Sequence, residues 1–242
     1  MPLLQNKIDF AVIFRVSNAN PNGDPLNGNR PRTDYDGFGE VSDVCLKRKL
    51  RDRLQESGDS IFVQSDDRRV DEYRSLKARA EAVLGKDFGS DQMVRRACEQ
   101  WIDVRTFGQL FAFKGKEKTT KTKKTADSAD ETESESGKSI PIRGPVSIHS
   151  AISVNPVSVS SMQITKSVSG EGDGTKRGSD TMGMKHRVDK AAIYTFFGAM
   201  NPQLAEKTRF SDKDAEKIKT VLPKLFENDA SSARPGRCPA RS

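Results

Sequence analysis

The chain has 242 residues, room for one domain with insertions or two small ones, and its 41 lysines and arginines exceed its 34 acids, leaving +7 at neutral pH. The longest wholly apolar run, Phe10 to Phe14, falls far short of the ~20 residues that cross a bilayer, which excludes a helical membrane protein. Three scattered cysteines (Cys45, Cys98, Cys238) and a start without a secretory h-region exclude a disulfide-stapled secreted protein and a cysteine-rich zinc site, and predict a cytoplasmic one.

Ile8–Val16 is rich in β-branched and aromatic residues and predicts a buried strand. Ser17–Arg32 follows, with Asn-Gly at 22–23 and 27–28 and prolines at 21, 25 and 31, a composition that predicts a long irregular loop of the functional kind. Ser42 is placed to cap a helix reaching about Glu56, with Leu46, Leu50 and Leu54 as its buried stripe. Lys47 and Arg51 flank that stripe on one side, Lys49 and Arg53 on the other. With Arg48 they make five cations in seven positions, against Asp52 alone between them. A solvated amphipathic helix accounts for such a pattern, but this density of cations points towards phosphate contact.

Further on, Ile61–Gln64 predicts a short strand, Asp71–Leu84 a helix stopped by Gly85, and Ser90 the cap of another helix that turns Val94, Ala97, Cys98 and Trp101 inward. Residues 57–113 thus read as a helical region ending in the apolar segment Val104–Phe113. Across 114–138, Lys114, Lys116, Lys118, Lys121, Lys123 and Lys124 precede Asp127, Asp130, Glu131, Glu133 and Glu135 without a large apolar side chain, which predicts a disordered charged insertion. Ile140–Val159 alternates small polar and β-branched residues, as strands do. The alternation continues through Met162 and Ile164, crosses a glycine-rich connector and returns at Thr181–Arg187, so 155–188 predicts an exposed two-stranded arm. Lys176–Lys190 is a second basic patch. Lys190–Met200 reads as buried. Ser211 with Asp214 forms a capping box ahead of Ala215, Ile218, Leu222 and Leu225, a helix that Pro223 kinks or ends. The order of elements predicts a single α+β domain over 1–242, with helices on one face of an antiparallel sheet.

Signs of catalysis are weak. Ser136-Gly-Lys-Ser139 resembles the end of a phosphate loop, but position 132 is threonine where glycine is needed. His149 sits in a strand pattern, and His186, between Lys185 and Arg187, suits a phosphate or base neighbour better than a general base. Asp24, Asp34 and Asp36 could bind a divalent metal, although turn formation explains them among so many Asn, Gly and Pro residues. No catalytic residue, metal or cofactor is expected.

Five segments in order, Asn20-Pro-Asn-Gly-Asp-Pro25, Asp43-Val-Cys-Leu-Lys-Arg-Lys-Leu50, Ile142-Arg-Gly-Pro-Val146, Ser153-Val-Asn-Pro-Val157 and Thr181-Met-Gly-Met-Lys-His-Arg-Val188, resemble the Cas-seven family. Its members are backbone subunits of type I CRISPR surveillance complexes, and the pattern is most similar to the type I-C branch, called Csd-two. The resemblance implies an RNA-recognition-like (ferredoxin-like) palm with an antiparallel sheet, helical fingers over 57–113 and a β-hairpin thumb over 155–188. It implies a non-catalytic subunit that polymerises along guide RNA (crRNA) and supports target DNA recognition in antiviral defence. The implied partners are the crRNA, the target strand paired to it, other copies of the chain and the other type I-C Cascade subunits. Carried onto this sequence, the implied RNA-binding set is Asn22, Gly23, Arg32, Lys47, Arg48, Arg51, Arg143, Lys185 and His186, with Met162 and Ile164 as thumb wedges that displace a base. The resemblance also makes the tail at 236–242 atypical, as if truncated. Two rival readings stand: a metal-dependent RNA-cleaving subunit of related build using Asp34 or Asp36, and an unrelated basic assembly protein.

Overall fold

The structure, a computed structural model, describes residues 2–90, 92–113, 138–165, 181–229 and 240–241. The predicted charged insertion, apart from Lys138, the glycine-rich connector of the arm, Cys238 and most of the tail lie outside the described residues.

Strand β1 (Ile8–Val16) pairs antiparallel along its whole length with β11 (Ala192–Met200), from Ile8 opposite Met200 to Val16 opposite Ala192. Strand β8 (Ala151–Pro156) lies on the far side of β11 and carries β4 (Phe38–Val41) at the edge; the short β12 (Ala240–Arg241) borders β1. Strand β7 (Val146–Ile148) joins the other end of β11. One face of this sheet is closed by α1 (Asp43–Glu56) and α6 (Asp212–Val221). Val12, Phe14 and Val16 pack there with Tyr194 and Phe196 of β11 against Leu46, Leu50, Leu54, Ala215 and Ile218. The alternate residues of β1, Ala11, Ile13 and Arg15, stand exposed on the other face. The apolar run that predicts a buried strand is therefore covered on one face, and no helix layer lies on its second face among the described residues.

Two close approaches fix this sheet. A side chain at Gly39 would meet the Tyr194 hydroxyl at 2.1 Å, and one at Gly198 would meet the Phe10 ring at 2.3 Å. Ser153 Oγ accepts a hydrogen bond from Gly39 N at 2.8 Å, locking β4 to β8.

A second apolar cluster forms around Trp101, with the Phe62 ring 4.6 Å away and Phe111 5.2 Å beyond it. Helices α2 (Leu76–Leu84), α3 (Met93–Gln100) and α4 (Ile102–Phe107) build it, together with a ribbon of β5 (Gly108–Phe113) and β6 (Lys138–Arg143). Here the structure differs from several expectations. Ile61–Gln64 forms no strand; the Asp103 carboxylate instead accepts from Phe62 N at 2.8 Å and Val63 N at 3.0 Å. The helix predicted from Asp71 starts only at Leu76, with Ser75 as its cap, and Asp71 serves as the partner of buried Arg79. Lys138 belongs to β6 rather than to the insertion, and Val104–Phe113 divides into helix and strand at Gly108, whose φ of 81° ends the helix. Helix α5 (Pro202–Thr208) follows β11, and Ser211 and Asp214 form the expected reciprocal box at the start of α6. No helix among the described residues is long and apolar enough to cross a membrane.

Strands β2 (Gly23–Asp24) and β3 (Arg30–Pro31) turn part of the predicted irregular loop into a small ribbon. Strands β9 (Val159–Thr165) and β10 (Thr181–Val188) pair antiparallel as the predicted arm, which leaves the sheet at the end marked by Val16, Ala192, Pro156 and Phe38.

Candidate nucleic-acid interface

Three segments meet at that end of the sheet. Asn22 Oδ1 accepts from both the backbone N and the Oγ of Ser42, each at 2.9 Å, so the first loop is pinned to the N-terminus of α1. Ser42 in turn caps α1 through Cys45 N at 3.3 Å. The root of the arm is tied to the same loop by Val188 N to Ala19 O at 2.9 Å, and to the turn before β4 by Val157 N to Gly37 O at 2.9 Å. These bonds join loop, helix start and arm root; Asn22, Gly23 and Arg32 belong to the loop, Lys47 and Arg48 to the helix and Lys185 to the arm, whereas His186 is buried.

The five cations of α1 divide by their surroundings. Lys49 is buried, paired with Asp229, and sits 5.0 Å over the Phe226 ring. Arg53 is buried against Glu227 O and Glu56. Arg51 reaches Asp103 at 3.2 Å, lies 5.2 Å over the Phe107 ring, and so spans the two apolar clusters; its guanidinium is engaged inside the protein. Lys47 is bonded to Asp43 at 2.9 Å but remains 27% exposed, and that bond holds the Asp43 carboxyl below its usual value. Arg48 is the open one, 53% exposed with Asp52 at 4.0 Å; burial pushes the Asp52 carboxyl up. The i, i+4 pattern of charges gives no hint of this division, because long basic side chains pack their stems on apolar surface from either side of a stripe.

Gly23 does permit a close approach, but to the chain itself: a Cβ there would fall 1.9 Å from Asn29 Oδ1. Arg32 is half-buried, with Asp24 at 3.5 Å. On the arm, Lys185 stands opposite Met162 and Arg187 opposite Ser160, so one face of the hairpin sets cations beside an apolar side chain. Met162 is 63% exposed. Ile164 is half-buried opposite Gly183, at a register shift between Thr181 and Gly183. His186 is on the other face, buried, with Nδ1 2.8 Å from Ser161 Oγ. Arg143 is exposed on the β5–β6 ribbon opposite Gly108, a different sheet from this surface.

The sequence reading omits Met184, exposed on the arm face opposite Met162, and Arg30, exposed on the β2–β3 ribbon. Both lie in segments it singles out; the signal for them was the pairing register, which a single sequence does not display. Asp34 Oδ1 accepts from Asp36 N at 3.0 Å and Phe38 N at 2.8 Å, the turn role expected of it. Among the described residues no three His, Cys, Asp or Glu side chains are grouped to hold a metal ion.

Comparison with known proteins adds an independent line. A family model described as CRISPR-associated protein Cas7 matches residues 6–242. A curated relative from Haloferax volcanii, described as CRISPR-associated protein Cas7, is 29% identical over 236 residues, which is 94% of this chain and 66% of that protein. The chain thus spans just under two thirds of the length of that relative. A chain of a solved "CRISPR RNA-guided surveillance complex, pre-nicking" superposes with a TM-score of 0.50 at 15% identity, covering 96% of this chain and 76% of that one, a likeness of fold. A chain of a "CRISPR RNA-guided surveillance complex" gives a TM-score of 0.46 at 17% identity, over 94% of this chain and 62% of that one.

Proposed function

This chain belongs to the CRISPR-associated Cas7 family, and from that premise we propose that it is a non-catalytic backbone subunit of a type I-C surveillance complex, repeated along a guide RNA that pairs with target DNA. The observation that carries the proposal is the junction of the first loop, the start of α1 and the root of the hairpin. Arg48, Lys47 and Arg32 belong to that loop and helix and Lys185 to the arm, each with a side chain at least partly open to solvent. Cations that meet phosphate grip RNA without reading bases, as a subunit serving any guide must.

The strand order supports an RNA-recognition-like palm. Strand β1, helix α1, strands β8 and β11, helix α6 and strand β12 follow the β-α-β-β-α-β sequence of a split βαβ fold, with β1 and β11 at the centre of the sheet. In this reading 57–113 are the fingers and the arm is the thumb. Met162 is the wedge that displaces a base, with Ile164 supporting it from a half-buried position. Lys47 and Arg48 make the phosphate contacts of α1, while Arg51 acts indirectly by fixing the helix against Asp103.

The test is filter binding of single-stranded RNA across a salt series. Affinity falls steeply with salt, and Arg48→Ala flattens log K against log salt by about 0.7, the value for one phosphate contact on a single strand. An affinity indifferent to salt, or unchanged in the Lys47→Ala/Arg48→Ala double variant, refutes the reading. Metal-dependent cutting of guide-paired RNA that is lost in Asp34→Ala would replace it with the nuclease alternative.

A further inference from the structure

The open face of the main sheet carries Ile13, Ile152, Val154, Ile193 and Phe197, each 41–61% exposed. The register sets Ile13, Thr195, Ile152 and Glu40 in one row across four strands, and Arg15 directly beside Ile193. At ~4.8 Å between strands and ~3.3 Å per residue, four strands over five residues span roughly 300 Å², with Thr195, Glu40 and Arg15 included among the apolar side chains. Apolar patches of that size on a monomer are often functional. A nucleic acid is a poor occupant: Phe197 is the one aromatic among those five side chains, and Asp9 and Glu40 stand on the same face as Arg15. A protein surface fits.

The same chain holds a complementary feature elsewhere. Tyr35 is fully exposed at the apex of the turn leading into β4, at the end of the sheet rather than on its face. The turn is rigid: Asp34 Oδ1 takes two backbone hydrogen bonds, Gly37 N donates to Asp34 O at 3.2 Å, and Gly37 adopts φ 83°. It therefore presents an aromatic ring between two carboxylates, Asp34 and Asp36, neither of which meets a cation among the described residues. Arg15, exposed among the aliphatics of the open face, likewise has no carboxylate partner there.

We propose that the Asp34–Tyr35–Asp36 turn of one copy docks on the open sheet face of the next, with Tyr35 packed on Ile13 and Ile193 and Asp36 paired with Arg15. Tyrosine and arginine are among the side chains that most often dominate interfaces. Because the two surfaces differ and lie on different parts of the molecule, the contact is head-to-tail and propagates into a row rather than closing a dimer. Roughly 300 Å² is well below the ~800 Å² per partner of a stable complex, so the contact acts when RNA already holds two copies side by side. The inference rests on the reading of the chain as a repeated subunit on RNA.

A charge swap tests it with the full chain and two unstructured poly-uridine RNAs, one long enough for several copies and one that holds a single copy. Arg15→Glu and Asp36→Lys each weaken loading of the long RNA by roughly tenfold and leave the short one unchanged, and the double variant recovers most of the loss. Circular dichroism confirms that each variant is folded. Single variants that load the long RNA like wild type, or a double variant that recovers nothing, overturn the docking while leaving RNA binding intact. Wild-type protein that binds neither RNA overturns the RNA reading itself.

Discussion

At the scale of single residues, the protein separates cations that hold it together from cations it can present. Asp103 is 1% exposed and serves three donors: Phe62 N, Val63 N and the Arg51 guanidinium. Removing it leaves one buried and one half-buried amide and a nearly buried cation without a partner, so Asp103→Ala is expected to cost about 3–5 kcal/mol in urea denaturation. Arg48→Ala, by contrast, should leave stability within about 0.5 kcal/mol and act on RNA alone. Arg51→Ala should do the reverse, lowering stability first, and RNA binding by a similar amount at low and high salt. Cys98 gives a further check at this scale. Burial in the α3–α4 cluster pushes its thiol up to about 11, so at pH 8 it is overwhelmingly protonated and shielded. Alkylation of Cys98 should proceed only in denaturant, and prompt labelling of the native protein would contradict that packing.

At the scale of elements, α1 is held from outside itself. Its cap Ser42 is gripped by Asn22, twenty residues earlier, so the loop shapes the helix start and the helix start holds the loop. Asn22→Ala removes acceptors for Ser42 N and Oγ; a loss of about 1–2 kcal/mol and a weaker RNA grip are expected together, since the arm root is tied to the same loop. On the arm, Met162→Ala should keep the salt slope of RNA binding while altering which guide bases are protected in chemical probing. An unchanged protection pattern would remove the wedge role from Met162.

Much of this was legible in the sequence. Ser42, the leucine stripe of α1, the Ser211–Asp214 box and the alternation of the arm are local rules, and the chain obeys them. The stretch 61–75 was not legible, because its geometry is dictated by Asp103 and Arg79, partners distant in the sequence. Nor was the sorting of Lys49, Arg51 and Arg53 inward, since their partners Asp229, Asp103 and Glu227 come from other parts of the chain.

At the scale of the whole molecule, two apolar clusters are stitched by ion pairs. Arg51–Asp103 ties α1 to α4, and Arg105–Asp214 ties α4 to α6 at 2.8 Å. For Asp214, burial alone would raise the carboxyl; the bonds from Arg105 and Ser211 outweigh it and hold the group below its ordinary value. A carboxyl whose folded value is depressed stabilises the protein above the ordinary carboxylate range, and that contribution fades as pH falls through the lower folded value. Melting temperature should therefore fall as pH drops below about 4. The fall should be shallower in Asp214→Asn, which starts from a lower plateau; parallel curves would mean that Asp214 is not the group responsible.

The uncovered face of the main sheet also bears on how the purified protein should behave at the bench. Salt strips cations from phosphate, yet strongly excluded salts such as sulfate drive greasy surfaces together. On the proposed function, washing away copurifying RNA with concentrated sulfate should thus cloud the preparation, whereas chloride at equal ionic strength should release the RNA and leave the solution clear.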